Sequence, residues 1–287
     1  MNIAARTAPL VLLLCAVLPA FAGEAAAPQK PIAVQMYTLR DAGTLDQQLK
    51  IVHDAGVHAV ETVGTQNVSA AELKQLLDRY AIKAVSSHVQ LAELRNDLDS
   101  VIAFNRSIGN TTLVVPYLDE KERPTDAVGW TALGQELGRI AKRARSKGMR
   151  MAYHNHDFEL VEFDGTTGLE LLFAAAGPDL QTELDLAWVA RAGHDPALML
   201  GKFRGRVFAV HAKDNAPKGQ AEDEGGFAAV GQGVLDWNTI LPAAAAAGVH
   251  WYILEHDHPR DPATVIQTGA DYLRNHLTTT LPASAAR

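Results

Sequence analysis

The feature that most constrains this chain is a repeated punctuation. A helical stretch runs into a glycine, a short β-rich run follows, and polar residues close it. The pattern recurs in DAGVHAVET, SIGNTTLVVPY, SKGMRMAYHNH, AAGPDLQTELDL, FRGRVFAVHAKD and AAGVHWYILEHD. Glycine just past a helix end is a stop signal, because it enters the left-handed conformation without a Cβ penalty. Strand candidates lie at 32–38, 58–63, 83–88, 111–117, 150–155, 181–186, 207–212 and 251–256. Helical stretches alternate with them at 44–55, 69–80, 94–108, 125–147, 167–176, 195–204, 236–247 and 262–277. Asp195-Pro196 and Asp261-Pro262 read as an N-cap followed by proline in the first turn.

Eight strand–helix units predict an α/β fold, a (β/α)8 barrel occupying 32–280 as a single domain. The alternative is a doubly wound sheet. It would carry fewer strands and a Gly-rich phosphate turn after the first, and QMYTLRDAG is no such turn. The polar, Gly-rich insert 215–233 follows the seventh strand and is expected as a loop or lid over the barrel mouth. Its glycines 225, 226, 231 and 233 suit loop turns better than phosphate binding.

The first 22 residues read as a signal peptide: Arg6 ahead of a short apolar run, then Ala20-Phe21-Ala22 as a cleavage site. An uncleaved anchor helix is the other reading. Residues 23–31 form a flexible lead. Cleavage removes the single cysteine, Cys15, which excludes disulfides, thiolate ligands and cysteine nucleophiles from the mature chain. It leaves 25 basic against 33 acidic residues. That balance argues against a nucleic-acid partner. The expected location is periplasmic or secreted, with no membrane association after cleavage.

Barrels of this kind place their chemistry at the C-terminal ends of the strands. Polar and titratable groups collect there: Gln35, Tyr37, Glu61, His88, His154, His156, Glu159, Asp185, His211, Lys213, Asp214, Glu255, His256 and Asp257. Asp185, His211 and Glu255 each follow an apolar run, on strands six, seven and eight. Taken singly, such residues are usually caps. Together they favour one site, and a mixed carboxylate and imidazole set suits Mn²⁺, Zn²⁺, Fe²⁺ or Co²⁺ rather than Ca²⁺. The fourth group is expected from strand five, where MAYHNHDFEL puts His154 and His156 on one face and Glu159 beyond the strand. His53, His58, His194, His250 and His276 read as structural or solvated, and His256 more as a rim residue than a ligand.

QMYTLRD, SSHV, YHNHDFEL, ELDLAWVARAGHDP, VHAKD, VGQGVLDW and YILEHD, in that order, resemble the sugar phosphate isomerase/epimerase family. This xylose isomerase-like TIM barrel group also contains inosose dehydratases and ketose 3-epimerases, and the resemblance covers the mature chain. It implies one divalent metal, often Mn²⁺, held by a strand-five Glu, a strand-six Asp, a strand-seven His and a strand-eight Glu. Asp185, His211 and Glu255 match the last three. Tyr153-His154 stands where relatives have the strand-five Glu, which leaves Glu159 as the nearest carboxylate. Trp188 stands where many relatives have a histidine.

The resulting expectation assigns Glu159, Asp185, His211 and Glu255 to the metal. His154 is the catalytic base with His156 in support, and Glu255 also acts in catalysis. Tyr37, Glu61, His88 and Lys213 are the candidate substrate contacts. The expected reaction is proton abstraction next to a carbonyl of a non-phosphorylated sugar or keto-sugar, since sugar phosphates are scarce outside the cytoplasm. Isomerisation or epimerisation is the leading outcome, and keto-glycoside lyase or inosose-type dehydratase chemistry is the alternative. A metal-dependent nuclease and a non-catalytic carbohydrate-binding barrel are the competing classes. A homo-oligomer is compatible with all of them.

Overall fold

The computed structural model describes residues 29–278. The expected signal peptide, most of the lead-in and positions 279–280 of the expected domain lie outside the described residues. The eight expected strands are all present: β1 (Ile32–Gln35), β2 (Ala59–Val63), β3 (Lys83–His88), β4 (Thr112–Val115), β5 (Arg150–His154), β6 (Leu180–Asp185), β7 (Val207–Ala212) and β8 (Trp251–Leu254). They close into one parallel barrel in sequence order, with β8 against β1. Two register shifts interrupt the ladder. In one, Val60 and Glu61 of β2 pair with Ala84 and Ser86, leaving Val85 of β3 as the extra residue; in the other, Thr182 and Glu183 of β6 pair with Val207 and Ala209, leaving Phe208 of β7. Such bulges re-aim the side chain beside them.

The helices begin where side chains can satisfy free backbone N–H groups. Thr44 and Thr167 form capping boxes with Gln47 and Glu170. Asp195 and Asp261 cap helices whose first turn holds proline, as expected. The expected helix 94–108 is split into Leu91–Asn96 and Leu98–Ser107, because the Asp97 carboxylate accepts from Ser100 N at 3.1 Å and starts a new helix. A short helix not expected from the pattern, Leu186–Arg191, begins directly at Asp185. The longest helix, Ala127–Ser146, packs on Gly168–Ala176 through two glycines a turn apart. A Cβ on Gly134 would sit 2.2 Å from the Leu172 carbonyl oxygen, and one on Gly138 2.1 Å from that of Ala176.

The insert after β7 is anchored by Asp214. Its buried carboxylate accepts from the backbone N–H of Asn215, Gly231, Gly233 and Leu235 and from Trp237 Nε1. A Cβ on Gly233 would lie 2.2 Å from that carboxylate, so the turn needs glycine for close approach. Asp214–Asn215 pairs antiparallel with Phe227–Ala228, which brings Phe227 over Trp188 and His256 at the mouth. None of the described helices is long and apolar enough to cross a membrane.

Candidate metal centre and active site

The lower barrel interior is apolar and small: Ala33, Ala59, Ala152, Ala209 and Ile253 pack there with Val114 and Phe208. Side chains alternate faces along a strand, so two residues further on the same face comes into view. On five strands that step reaches Gln35, Glu61, His154, His211 and Glu255. β3 adds His88, and β6 adds both Glu183 and Asp185. All eight are buried.

His154, Asp185, His211 and Glu255 each place a ligand atom within 4.8 Å of the other three. His211 Nδ1 is 2.8 Å from Glu255 Oε2 and 4.0 Å from Asp185 Oδ2. A second grouping, His88, His154, Glu183 and His211, meets the same distance test one layer deeper. There Glu183 Oε1 is 3.0 Å from the Nε2 of both His88 and His211, and 3.5 Å from His154 Nδ1. Two imidazoles with two carboxylates is a donor set for a borderline divalent transition metal. Asp185 Oδ2, which belongs to the upper group alone, and His154 Nδ1, which both groups share, are buried with no hydrogen-bond partner, as ligand atoms awaiting an ion would be. The residues therefore fit a metal at the upper group.

The charges support this reading. Burial pushes the Asp185 carboxyl up to about 6, against the pull of Lys213. Burial would also raise Glu255, but Lys213 and His211 hold it well below the usual carboxylate range. Burial and the neighbouring His211 and His156 drive His154 well below its ordinary value, so its ring is neutral and able to ligate. Burial, then Lys213, lowers His156 to about 3. Of the buried pair Glu61 and Glu183, burial and the Glu61 charge push Glu183 up, so it holds its proton more tightly. The Lys213 ammonium lies 2.8 Å from Glu255, 3.2 Å from Asp185 and 3.0 Å from Asp257.

Above the cluster opens a cavity of about 570 Å³, into which His88, His154, His156 and Glu255 look. One wall is aromatic: the His156 ring centre is 5.1 Å from Tyr117 and 5.3 Å from Trp188, and stacks on Phe158. Tyr37, 41% exposed, stands at the opposite rim. Besides Glu255, the cavity's charged lining is Glu120, Asp157 and Asp257 against Arg123.

The structure brings Asp185, His211 and Glu255 together as expected and keeps Tyr37 and His88 on the cavity. Three expectations change. Glu159 is not among the clustered groups: its carboxylate accepts from the Tyr153 hydroxyl and from His156 N, both at 2.8 Å. Tyr153 alternates with His154 and so faces the outer hydrophobic layer, and Glu159 follows it there. The strand-five place beside Asp185 is taken by His154. Glu61 and Lys213 are wholly buried and lie outside the cavity wall, so neither is positioned to touch a substrate. His256 is a rim residue, its N–H donating to Thr38 Oγ1.

Sequence reasoning passed over Glu183, although a charged residue two before Asp185 on a strand marks the same inward face. It also passed over Asn155, whose Oδ1 accepts from Asp185 N at 3.0 Å. Asp185 itself does two things: Oδ1 caps the following helix at Trp188 N, 2.8 Å, and Oδ2 faces the cluster.

Comparison with known proteins agrees with this architecture. A rhizopine catabolism protein of Rhizobium meliloti is 26% identical over 251 residues, covering 76% of this chain and 75% of its own. An inosose dehydratase of Lacticaseibacillus casei is 29% identical over 160 residues, and that match spans only about half of each chain, 50% and 52%. Among solved structures, a sugar phosphate isomerase/epimerase from Parabacteroides distasonis superposes with a TM-score of 0.73 at 19% identity, covering 90% of this chain and 99% of that one. The IOLI protein, solved with a bound zinc atom, superposes with a TM-score of 0.68 at 16% identity, covering 87% and 100%. The family model described as xylose isomerase-like TIM barrel matches residues 49–276, and the chain belongs to that family.

Proposed function

We propose that the protein is a divalent-metal-dependent enzyme that removes a proton next to the carbonyl of a non-phosphorylated keto-sugar and expels a leaving group. The observation that carries this reading is the convergence of His154, Asp185, His211 and Glu255 beneath an open cavity at the C-terminal end of the barrel. Those four residues would hold the ion, with Mn²⁺ the proposed metal and Zn²⁺, Co²⁺ or Fe²⁺ compatible. A barrel of the same fold that carries zinc supports a divalent ion here. Such an ion supplies a Lewis acid that polarises a carbonyl and acidifies the adjacent C–H.

The chain's own residues supply the rest. The His156 imidazole is neutral, faces the cavity and is free of the metal group, so it takes the role of general base in place of His154. Tyr117, Phe158 and Trp188 give the apolar C–H face of a sugar a surface to lie on, and the Tyr37 hydroxyl stands at the rim as a polar contact. Lys213 is a fixed positive charge behind Asp185 and Glu255 that offsets their negative charge. Apart from the proposed metal ligand Glu255, three carboxylates against one guanidinium around the cavity disfavour a phosphate dianion, which fits the proposed export. The matched rhizopine catabolism protein and inosose dehydratase support elimination over isomerisation. If the proton instead returns to the sugar, the same first step gives isomerisation or epimerisation.

The test is incubation of the Mn²⁺-loaded protein with keto-sugars and keto-glycosides in D₂O, following the α-proton by NMR and the conjugated product by absorbance. The expected result is loss of the α-proton with formation of the unsaturated ketone. Solvent deuterium entering recovered or rearranged sugar without elimination would make it an isomerase or epimerase. Absence of exchange with every sugar tried, metal bound, would leave a non-catalytic binding barrel. Export is tested by sequencing the N-terminus of the secreted chain, expected at Gly23.

A further inference from the structure

We infer that Glu61 is a positioning residue: it keeps the proton of His211 on Nε2, so that the lone pair of Nδ1 faces Asp185 and Glu255. The inference rests on the metal site proposed above. It starts from Gln35 on β1. The Tyr37 N–H donates to Gln35 Oε1 at 3.0 Å, which fixes the amide with its nitrogen turned into the barrel. That nitrogen lies 2.6 Å from Glu61 Oε1 and 3.1 Å from His88 Nδ1, one hydrogen for each. His88 Nδ1 is thereby an acceptor, so the ring carries its proton on Nε2, which donates to Glu183 Oε1 at 3.0 Å.

His211 Nε2 has two carboxylate oxygens nearby, Glu183 Oε1 at 3.0 Å and Glu61 Oε1 at 2.9 Å, and the hydrogen-bond geometry is met by Glu61. An ionised carboxylate only accepts, so it selects the N–H form at that nitrogen. Without an ion, Glu255 Oε2, 2.8 Å from Nδ1, makes the same demand on the other nitrogen. A metal held between them would displace the Nδ1 proton, and the single N–H of the neutral ring would then be the one on Nε2 that faces Glu61. Ligating histidines are commonly oriented in this way by a carboxylate on the other nitrogen. One further observation fits orientation and not substrate contact: Glu61 is wholly buried and lies outside the cavity wall.

The competing arrangement places an ion in the deeper group, with Glu183 as a ligand and His211 bound through Nε2. The experiment uses the folded full chain with Zn²⁺ alone as the probe. Zinc affinity is measured by chelator competition for the wild type, Glu61→Gln, Glu183→Gln and Asp185→Asn. The imidazole tautomers of the zinc-loaded wild type are read by ¹⁵N NMR. We expect His211 with Nε2 protonated and Nδ1 on zinc, and a zinc affinity about 10- to 100-fold weaker in Glu61→Gln, because glutamine can turn its NH₂ toward Nε2. Unchanged affinity in Glu61→Gln overturns the inference. So does a wild-type spectrum with Nε2 on zinc, and so does a loss in Glu183→Gln as deep as that in Asp185→Asn. If Glu61→Gln does not fold, the wild-type spectrum decides alone. Full zinc affinity in Asp185→Asn is a different failure: it removes the proposed metal site, and this inference with it.

Discussion

His154 stands in the place on the clustered group that the sequence suggests for Glu159, the proposed base is then His156, and three substitutions report it. His154→Ala is expected to lose bound metal, measured by elemental analysis after gel filtration. His156→Ala is expected to keep the metal and lose at least about 100-fold in turnover. Glu159→Gln is expected to leave metal content unchanged and to alter stability instead. Burial raises the Glu159 carboxyl from 4.5 to about 8, so the folded state favours its protonated form. The stability this gives is fully present below pH 4.5 and is lost as pH rises through 8, on the order of 5 kcal/mol in all. Urea melts from pH 4 to 9 should therefore fall less steeply for the glutamine variant than for the wild type. The place of Glu159 is not legible in the sequence for a plain reason. Glu159 is five residues past His154, and only the turn Phe158–Leu160 reveals that it folds back to the outer side of β5. Asp185, His211 and Glu255 were legible because each ends a regular strand on its inward face.

At the scale of elements, strands were read to within a few residues because apolar runs between a glycine and a polar end are short and unambiguous. Helix breaks were harder. Asp97 and Asp185 each start a helix within an apolar stretch, and a cap inside a periodic run looks like one more polar position. The contact between Ala127–Ser146 and Gly168–Ala176 was invisible for another reason: glycine in a helix carries no periodic signal, and its use appears only when a second backbone lies against it. Gly138→Ala sets a methyl group against the Ala176 carbonyl. The expected cost is about 1 to 3 kcal/mol, read as a lower denaturation midpoint, with metal affinity unchanged because the contact is far from the mouth.

For the whole molecule, the alternation of eight strands with helices left little choice of fold, since a closed parallel barrel buries every strand on both faces. The inner ring of Glu61, His88, Glu183 and His211 was not legible in the same way. Its members come from β2, β3, β6 and β7, and closure of the barrel is what makes them neighbours. Because β5 to β8 all contribute to the upper group, metal should stabilise the barrel as a unit. Metal at 100 times its dissociation constant adds about 2.7 kcal/mol, so the melting temperature should climb with Mn²⁺ and drop with chelator. This increment should shrink as pH falls through about 6, where Asp185 takes up its proton. A melting temperature indifferent to every divalent metal would count against the site.

Asp185 spends one oxygen on a helix start and turns the other toward the metal group. Retuning this site therefore cannot proceed ligand by ligand. A histidine or cysteine placed there to favour another metal would also take away the cap of Leu186–Arg191 and disturb Trp188, whose ring forms part of the cavity wall. In the proposed enzyme, choice of metal and shape of the cavity would thus be inherited together through one carboxylate. A change of metal preference in this barrel is more accessible at His154, where the side chain has no second structural duty.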